Sequence, residues 1–185
     1  MNWLGKIIQN NVSYDDTVLD IGCGIMQATT DVITKSNRKN PFKASNKNIR
    51  CKSLLGCDVH EPYLEKSKNY FPVIKMDLSS KTCMSIFLNK SFDVVMALDV
   101  IEHLDFDIAN YIITEMHRIA RKKIIIYTPA IYESNEKNVD NAWDMGENQY
   151  QMHRSYIEPE KFREMGFDVT FPDPDRNTLA IKVVK

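Results

Sequence analysis

The chain has 185 residues, of which 24 are Lys or Arg and 25 are Asp or Glu, so its formal net charge is −1. This length favours a single domain, residues 1–185, with a sizeable core, and the balanced charge excludes a general attraction to nucleic acid or membrane. No apolar run approaches the ~20 residues of a membrane span, and the four cysteines lack CxxC spacing, so we expect a cytoplasmic protein with reduced thiols.

The first part of the chain predicts helix, strand, helix and strand in turn. Apolar residues at helical spacing predict an amphipathic N-terminal helix over 1–12. Thr17–Ile21 is predicted as a strand and Met26–Lys35 as a helix. A basic loop insert, 36–52, separates this helix from a second strand at Leu54–Cys57.

The middle of the chain continues the alternation. We predict helices at Pro62–Asn69 and Ile108–Ala120, the second from a stripe of apolar residues at helical spacing. Strands are predicted at Val73–Met76, Phe92–Leu98 and Lys123–Tyr127.

The last elements differ from this pattern. A helix at Pro159–Met165 precedes two strands, Phe167–Phe171 and Thr178–Val184, which a turn-forming segment joins. Alternating strands and helices predict an α/β fold, a three-layer αβα sandwich around a mostly parallel seven-stranded sheet. The last two strands predict an antiparallel C-terminal hairpin at one edge.

The segment Val18-Leu-Asp-Ile-Gly-Cys-Gly24 joins a strand to a glycine-rich loop. Gly22 and Gly24 allow a sharp turn and close approach of the backbone to a ligand. Asp20 disfavours a phosphate and favours a ligand that brings positive charge, hydroxyls or amines.

Four acids lie at or just past the carboxyl ends of predicted strands: Asp20, Asp58, Asp77 and Asp99. The carboxyl ends of strands in an open α/β sheet form the edge at which ligands bind. Capping alone explains one Asp in such a place, but explains four in successive units less well. An acid after the second strand is positioned to accept hydrogen bonds from both hydroxyls of a ribose.

These segments, with Leu55-Gly-Cys-Asp58, Met76-Asp77-Leu78 and Phe92-Asp-Val-Val-Met-Ala-Leu-Asp99, resemble class I, Rossmann-like S-adenosylmethionine-dependent methyltransferases. The resemblance covers about residues 15 to 130 and the terminal hairpin. It implies S-adenosylmethionine as the cofactor, with its methionine part at the first loop, its ribose at Asp58 and its adenine at Asp77. The implied cofactor-binding residues are Asp20, Ile21, Gly22, Cys23, Gly24, Asp58, Val59, Met76, Asp77, Leu78, Leu98 and Asp99.

The first loop departs from the family pattern at one position. Family members often carry a third glycine where this chain has Met26. The alternative for this fold, a dinucleotide-dependent oxidoreductase, needs G-x-G-x-x-G, and position 27 is Gln. The four acids, and the absence of the glycine that the oxidoreductase pattern needs at position 27, favour the methyltransferase.

Asp99, Glu102 and His103 follow the fourth strand and would share one face of a helical turn. Three interpretations of Glu102 and His103 stay open: they shape the cofactor pocket, His103 acts as a general base, or the cluster binds a divalent metal together with His153. The pattern resembles ubiquinone-pathway O-methyltransferases and small-RNA 3′-terminal 2′-O-methyltransferases, in which such a cluster is associated with a metal. Those families usually have Glu at the position of Asp99, so a metal is not expected here. Glu102, His103 and His153 are the candidate catalytic residues.

Two segments outside the repeating units carry further signals. Residues 130–156 are long, follow the fifth strand and contain Tyr132, Trp143 and Tyr150, so they predict a lid over the acceptor. Residues 35 to 52 hold seven basic side chains and no acid. They should lie at the opposite end of the sheet, so a solvated loop is the preferred interpretation and nucleic acid is an unlikely partner.

The sequence therefore predicts methyl transfer from S-adenosylmethionine to oxygen or nitrogen of a small-molecule acceptor. RNA 2′-O- or protein methylation is the alternative within this class. A cofactor-binding accessory subunit without turnover is the alternative outside it.

Overall fold

The computed structural model describes residues 9–25, 51–69, 71–136, 145–173 and 177–185. Its centre is a seven-stranded sheet in the order β3-β2-β1-β4-β5-β7-β6. The strands are β1 Thr17–Ile21, β2 Ser53–Asp58, β3 Val73–Lys75, β4 Phe92–Leu98, β5 Ala120–Pro129, β6 Asp168–Asp173 and β7 Asn177–Val183. Strands β1 to β5 pair in parallel, whereas β7 is antiparallel to both β5 and β6. The predicted sheet and its C-terminal hairpin are confirmed.

Three α-helices lie wholly in the described part of the chain, α1 Glu61–Ser67, α2 Phe106–Ile119 and α3 Pro159–Glu164, and residues 9–11 are also helical. Helix α2 buries the stripe formed by Ala109, Ile112, Ile113, Met116 and Ile119, because side chains three and four residues apart share one face of a helix. Short 3-10 turns occupy Cys83–Ile86, Ile101–His103 and Gln149–Gln151. None of the described helices combines the length and the apolar content needed to cross a membrane.

Helices cover both faces of the sheet because alternate residues of each strand point to opposite sides. On one face Val95 and Ala97 of β4 pack with the apolar stripe of α2. On the other face Val94 and Met96 pack with Leu64 of α1. These two cores confirm the three-layer arrangement. The predicted helix at Met26–Lys35 and most of the N-terminal helix lie outside the described residues, as does nearly all of the basic loop.

A network of charged and polar side chains links the amino-terminal ends of β1, β4 and β5. Asp93 Oδ2 accepts hydrogen bonds from the Thr17 N–H (2.9 Å) and hydroxyl (3.0 Å). Arg121 Nε lies 3.1 Å from Asp93 Oδ1, and Lys122 bridges Asp93 and Asp16. We call these five residues the Asp93 network. Burial alone would raise the pKa of Asp93, but the hydrogen bonds from Arg121 and Thr17, and then from Lys122, outweigh it and hold this pKa well below its usual value.

Two element bounds differ from the sequence prediction in an informative way. Strand β5 begins at Ala120, not Lys123, and includes Pro129. Its charged first residues, Arg121 and Lys122, are anchored by Asp93, which hydrophobicity alone does not reveal. Pro129 ends the strand opposite Asn177, where β5 pairs with β7.

Candidate functional site

A cavity of about 330 Å³ opens at the carboxyl ends of the parallel strands. Of the residues predicted for the site, Gly22, Asp58, Val59, Met76, Asp77, Leu78, Asp99 and His103 line it. Tyr150, of the segment predicted as the lid, lines it too. The remaining lining residues were not among the predicted site residues: Ser79, Val100, Leu104, Asp105, Ile108, Asn148, Gln151 and Arg154. The cavity therefore joins the predicted cofactor edge to the segment predicted to cover the acceptor.

Seven of the predicted site residues do not line the cavity: Asp20, Ile21, Cys23, Gly24, Leu98, Glu102 and His153. Asp20 is 1% exposed and lies within β1, paired with Gly56 and Met96 of the neighbouring strands. Only Gly22 of the loop Asp20–Gly24 reaches the cavity wall.

The loop after β1 depends on its two glycines. Gly22 has a φ of +64° and Gly24 a φ of +54°, in the region that side chains disfavour. A Cβ atom at Gly22 would lie 2.5 Å from Cγ2 of Val100, while a Cβ at Gly24 would meet no atom within 4 Å. Gly22 is thus required by both conformation and close packing, and Gly24 by conformation alone.

Asp58, at the end of β2, fixes the loop and faces the cavity. Its Oδ2 accepts a hydrogen bond from the Gly24 N–H (2.9 Å), and its Oδ1 accepts one from the His60 N–H (2.8 Å). Burial raises its pKa, although these backbone hydrogen bonds act in the opposite direction. Each carboxylate oxygen keeps a further lone pair, so Asp58 can still accept hydrogen bonds from a ligand.

The segment after β3 forms the next part of the wall. Asp77 Oδ1 accepts from the Ser79 N–H (2.9 Å) and hydroxyl (2.7 Å), which closes a tight turn. Met76 and Leu78 on either side are buried yet line the cavity. Met76 is held next to β2 by its N–H, which donates to Asp58 O (2.8 Å). Two apolar side chains around an acid can hold a flat, polar-edged ring.

Asp99 turns the chain at the end of β4. Its φ of +53° is unusual for a residue other than glycine, and its N–H donates to Tyr127 O (2.8 Å). The side chain opens into the cavity, and the surrounding protein raises its pKa. Strained backbone of this kind is concentrated at functional sites.

Glu102 lies outside the cavity lining and anchors the segment 145–156, part of which lines the cavity. It is 4% exposed, and its Oε2 accepts a hydrogen bond from the Thr128 hydroxyl (3.0 Å). Burial and then the nearby Asp99 raise its pKa. Its backbone oxygen accepts from the N–H groups of Arg154 (2.8 Å) and Ser155 (3.1 Å). Glu102 therefore ties the turn after β4 to the segment 145–156.

His103 and His153 lie side by side, with ring centroids 5.0 Å apart. His103 Nδ1 lies 3.3 Å from Met152 O, and His153 Nδ1 lies 2.7 Å from Glu133 O. A carbonyl only accepts, so both Nδ1 atoms carry hydrogen, and the Nε2 of neutral His103 keeps a lone pair. Burial, with a smaller effect of His153, lowers the pKa of His103 to about 4.

These two rings and Glu102 form a group that fits a metal ion. Each of the three offers one ligand atom, and these atoms lie within 4.8 Å of one another. Backbone carbonyls on the far nitrogens of ligating histidines are the usual way of fixing ring orientation. Asp99 does not belong to this group in the described part of the chain.

The segment expected to cover the acceptor is partly described. Asn148, 2% exposed, accepts from the Tyr150 N–H (3.0 Å) through its side chain. Tyr150 lines the cavity while half exposed, and Tyr132 is exposed. Trp143 lies outside the described residues. The length and aromatic content of 130–156 were the only sequence signals for Asn148, Gln151 and Arg154.

Neither a protein-family model nor a curated protein sequence matches the chain. Solved structures do. A chain of the complex between the Haloferax volcanii Trm112 methyltransferase activator and a candidate methyltransferase superposes with a TM-score of 0.62 at 16% identity, covering 98% of this chain and 89% of that one. An S-adenosylmethionine-dependent methyltransferase from Archaeoglobus fulgidus gives 0.61 at 15% identity, covering 97% and 94%.

A third similar structure was determined with the cofactor bound. Magnesium protoporphyrin IX methyltransferase from Synechocystis PCC 6803, with bound S-adenosylmethionine, gives a TM-score of 0.57 at 14% identity, covering 98% of this chain and 76% of that one. At these identities the likeness concerns the fold. Together with the strand order and the terminal antiparallel hairpin, it shows that the chain has the fold of class I S-adenosylmethionine-dependent methyltransferases.

Proposed function

We propose that this protein transfers the methyl group of S-adenosylmethionine to oxygen or nitrogen of a small-molecule acceptor. The observation that carries the proposal is the continuous cavity, which runs from Gly22 and Asp58 to Asp99 and Tyr150. One part of its wall suits a ribose-bearing cation, and the other offers room for a second molecule. Its volume of about 330 Å³ lies at the lower end of the range for a single ligand, so an acceptor bound beside the cofactor has to be small.

The acids of the cavity support this cofactor over a phosphate-bearing one. Asp58, Asp77 and Asp99 all line the wall, and carboxylates repel phosphates but attract a sulfonium or an ammonium group. In the proposed arrangement Asp58 accepts hydrogen bonds from the ribose hydroxyls. Met76 and Leu78 contact the adenine, and Asp99 faces the charged centre.

The transfer itself needs alignment more than activation. The sulfonium is already a good leaving group, so holding the acceptor in line supplies much of the acceleration. His103 lines the cavity, and its Nε2 can accept a hydrogen bond from the acceptor. Because the pKa of His103 is about 4, we assign it to orient the acceptor and to relay the released proton to solvent rather than to hold it. Glu102 and His153, which do not line the cavity, act as positioning residues for His103 in this arrangement.

The compact group of Glu102, His103 and His153 supports a second candidate role, a divalent metal site. The donor set of one carboxylate and two imidazoles suits Zn²⁺. A bound cation lowers the pKa of a hydroxyl that coordinates it. Zinc loading of the wild type against His153→Ala, measured after dialysis, tests this role: about one zinc per chain that is lost in the variant supports it. No zinc in either protein rules it out and leaves His103 to orient the acceptor and relay its proton.

Isothermal titration calorimetry with S-adenosylhomocysteine tests the cofactor assignment. Hydrogen bonds to a charged group predict that Asp58→Ala weakens binding by about tenfold or more. Asp168→Ala, which removes an exposed carboxylate at the start of β6, is the matched control and should bind like the wild type. Asp58→Asn, which keeps one acceptor oxygen for the loop, separates ligand binding from folding. No binding by the wild type, or undiminished binding by both Asp58 variants, contradicts the proposal.

A methyl-transfer screen then separates an enzyme from an accessory subunit. We expect S-adenosylhomocysteine to be released in the presence of hydroxyl- or amine-bearing small molecules. Turnover only with RNA or with a protein would redirect the assignment to those acceptors. Cofactor binding without turnover on any of them would support the accessory role.

A further inference from the structure

Arg154 is the one arginine or lysine among the described residues that line the cavity. The other charged side chains of that wall are the carboxylates of Asp58, Asp77, Asp99 and Asp105. An acidic wall is what the proposed cationic cofactor requires. It does not explain a guanidinium at the same cavity, and this cation is left without a role in the proposed function.

The guanidinium of Arg154 has no carboxylate within 4 Å in the described part of the chain, unlike the other arginines there. Arg118 pairs with Glu115 (2.6 Å), Arg121 with Asp93 (3.1 Å) and Arg163 with Glu160 (2.8 Å). Arginine presents a planar fork of N–H donors that suits carboxylates and phosphates. With no carboxylate partner among the described residues, the fork of Arg154 can receive one from a ligand.

The backbone holds Arg154 in place. Its N–H donates to Glu102 O (2.8 Å), and the N–H of the next residue, Ser155, donates to the same oxygen (3.1 Å). On the other side, the His153 N–H donates to Asn135 Oδ1 (2.7 Å). A side chain on a fixed backbone loses less entropy when it binds a ligand.

The position of Arg154 points to the acceptor. It is anchored to the turn that follows β4, whereas Asp58 and Asp77 follow β2 and β3 on the other side of β1. The same cavity is also lined by the apolar side chains of Leu104 and Ile108, which follow this turn, and by Tyr150. The cavity therefore combines this one cation with apolar and aromatic lining.

We infer that Arg154 binds an anionic group, a carboxylate or a phosphate, on an acceptor whose body is apolar or aromatic; this inference rests on the proposed function. It makes Arg154 a specificity-determining residue that selects anionic acceptors. It also separates the site into a part for the cationic cofactor, formed by the acids, and a part for the anionic acceptor.

Ligand-observed NMR titration of the protein loaded with S-adenosylhomocysteine tests the inference. The probes are benzoate, phenyl phosphate and neutral benzamide. We expect at least one anionic probe to bind with a Kd of about 1 mM, as small fragments do, and benzamide to bind more weakly. The tighter of the two anions identifies the group.

Three variants complete the test. Arg154→Gln should weaken binding of the anion by about tenfold or more without changing that of benzamide. Arg154→Lys should give an intermediate affinity, because it keeps the charge and loses the fork. Arg163→Gln, an exposed arginine of α3, is the matched control and should bind like the wild type.

Several results would overturn the inference. They are no binding of either anion to the loaded wild type, equal affinity for benzamide, or undiminished anion binding by Arg154→Gln. A weaker affinity of Arg154→Gln for S-adenosylhomocysteine would assign the cation to the cofactor carboxylate and overturn it as well. Failure of the wild type to bind S-adenosylhomocysteine contradicts the proposed function itself. A wild type that binds the cofactor, with unaffected anion binding in the variant, contradicts only the role of Arg154.

Discussion

Replacement of Gly22 by alanine tests the geometry of the cofactor loop. The φ of +64° costs an alanine about 1–2 kcal/mol. The new Cβ would lie 2.5 Å and 2.7 Å from the two Cγ atoms of Val100, and such overpacking costs about 1–3 kcal/mol. We therefore expect Gly22→Ala to lower the free energy of unfolding by about 2–5 kcal/mol. Because Gly22 and Val100 both line the cavity, binding of S-adenosylhomocysteine should weaken too.

Gly24→Ala is the matched control, since its φ is +54° and its Cβ would meet no atom within 4 Å. It should lose only the conformational part, about 1–2 kcal/mol. Both alanines restrict the unfolded chain similarly, so that contribution cancels between them. Urea unfolding of both variants, followed by circular dichroism, gives the difference directly.

A double-mutant cycle with Val100→Ala isolates the clash. Removing both Cγ atoms should make the double variant more stable than the sum of the single effects predicts, by about 1–3 kcal/mol. Equal stability of Gly22→Ala and Gly24→Ala, or strict additivity with Val100→Ala, would refute the packing argument.

Three other variants test the core and the buried polar groups by urea unfolding. The pKa of Asp93 is depressed in the folded state, so its contribution is present above about pH 4 and is lost as pH falls. Because its partners Arg121 and Lys122 are half exposed, Asp93→Asn should cost about 1–2 kcal/mol at pH 7 and progressively less below pH 4. A constant difference at all pH values would contradict this. Thr128→Val removes the hydrogen bond to buried Glu102 and should lower the free energy of unfolding by about 1–2 kcal/mol. Its control, Thr114→Val at an exposed position of α2, should lower it by less. Equal losses of stability in the two variants would argue against the buried hydrogen bond. Phe162→Ala, at a fully buried position, should cost about 3–5 kcal/mol, and a loss below 1 kcal/mol would mean that the core is not packed there.

The sheet was predictable because its strands carry short-range signals. The β-branched run Lys123–Tyr127 and the alternation of strand and helix patterns predict the parallel strands. The turn-forming residues after Phe171 predict the hairpin. The charged start of β5 was missed because its stability comes from Asp93, 28 residues away.

The site was predictable only where its residues follow strands directly. Asp58, Asp77 and Asp99 were found in this way, and all three line the cavity. Asp20 lies one residue before the end of β1, whose predicted and observed bounds agree, and it is buried there and does not line the cavity. Arg154 was missed because two backbone hydrogen bonds to Glu102 O, a contact across 52 residues, bring its segment to the cavity.

The position of β7 between β5 and β6 determines when the sheet can be completed during synthesis. Strand β6 is made before β7, yet it pairs with β7 alone. Until β7 leaves the ribosome, β5 has an open edge and β6 has nothing to pair with, while the five parallel strands are already available to assemble. The unpaired backbone groups at this edge of β5, whose isoleucines are apolar, can pair with strands of other chains. A chain truncated before Asn177 would therefore keep the open edge of β5 and be prone to aggregate, although it contains all five parallel strands.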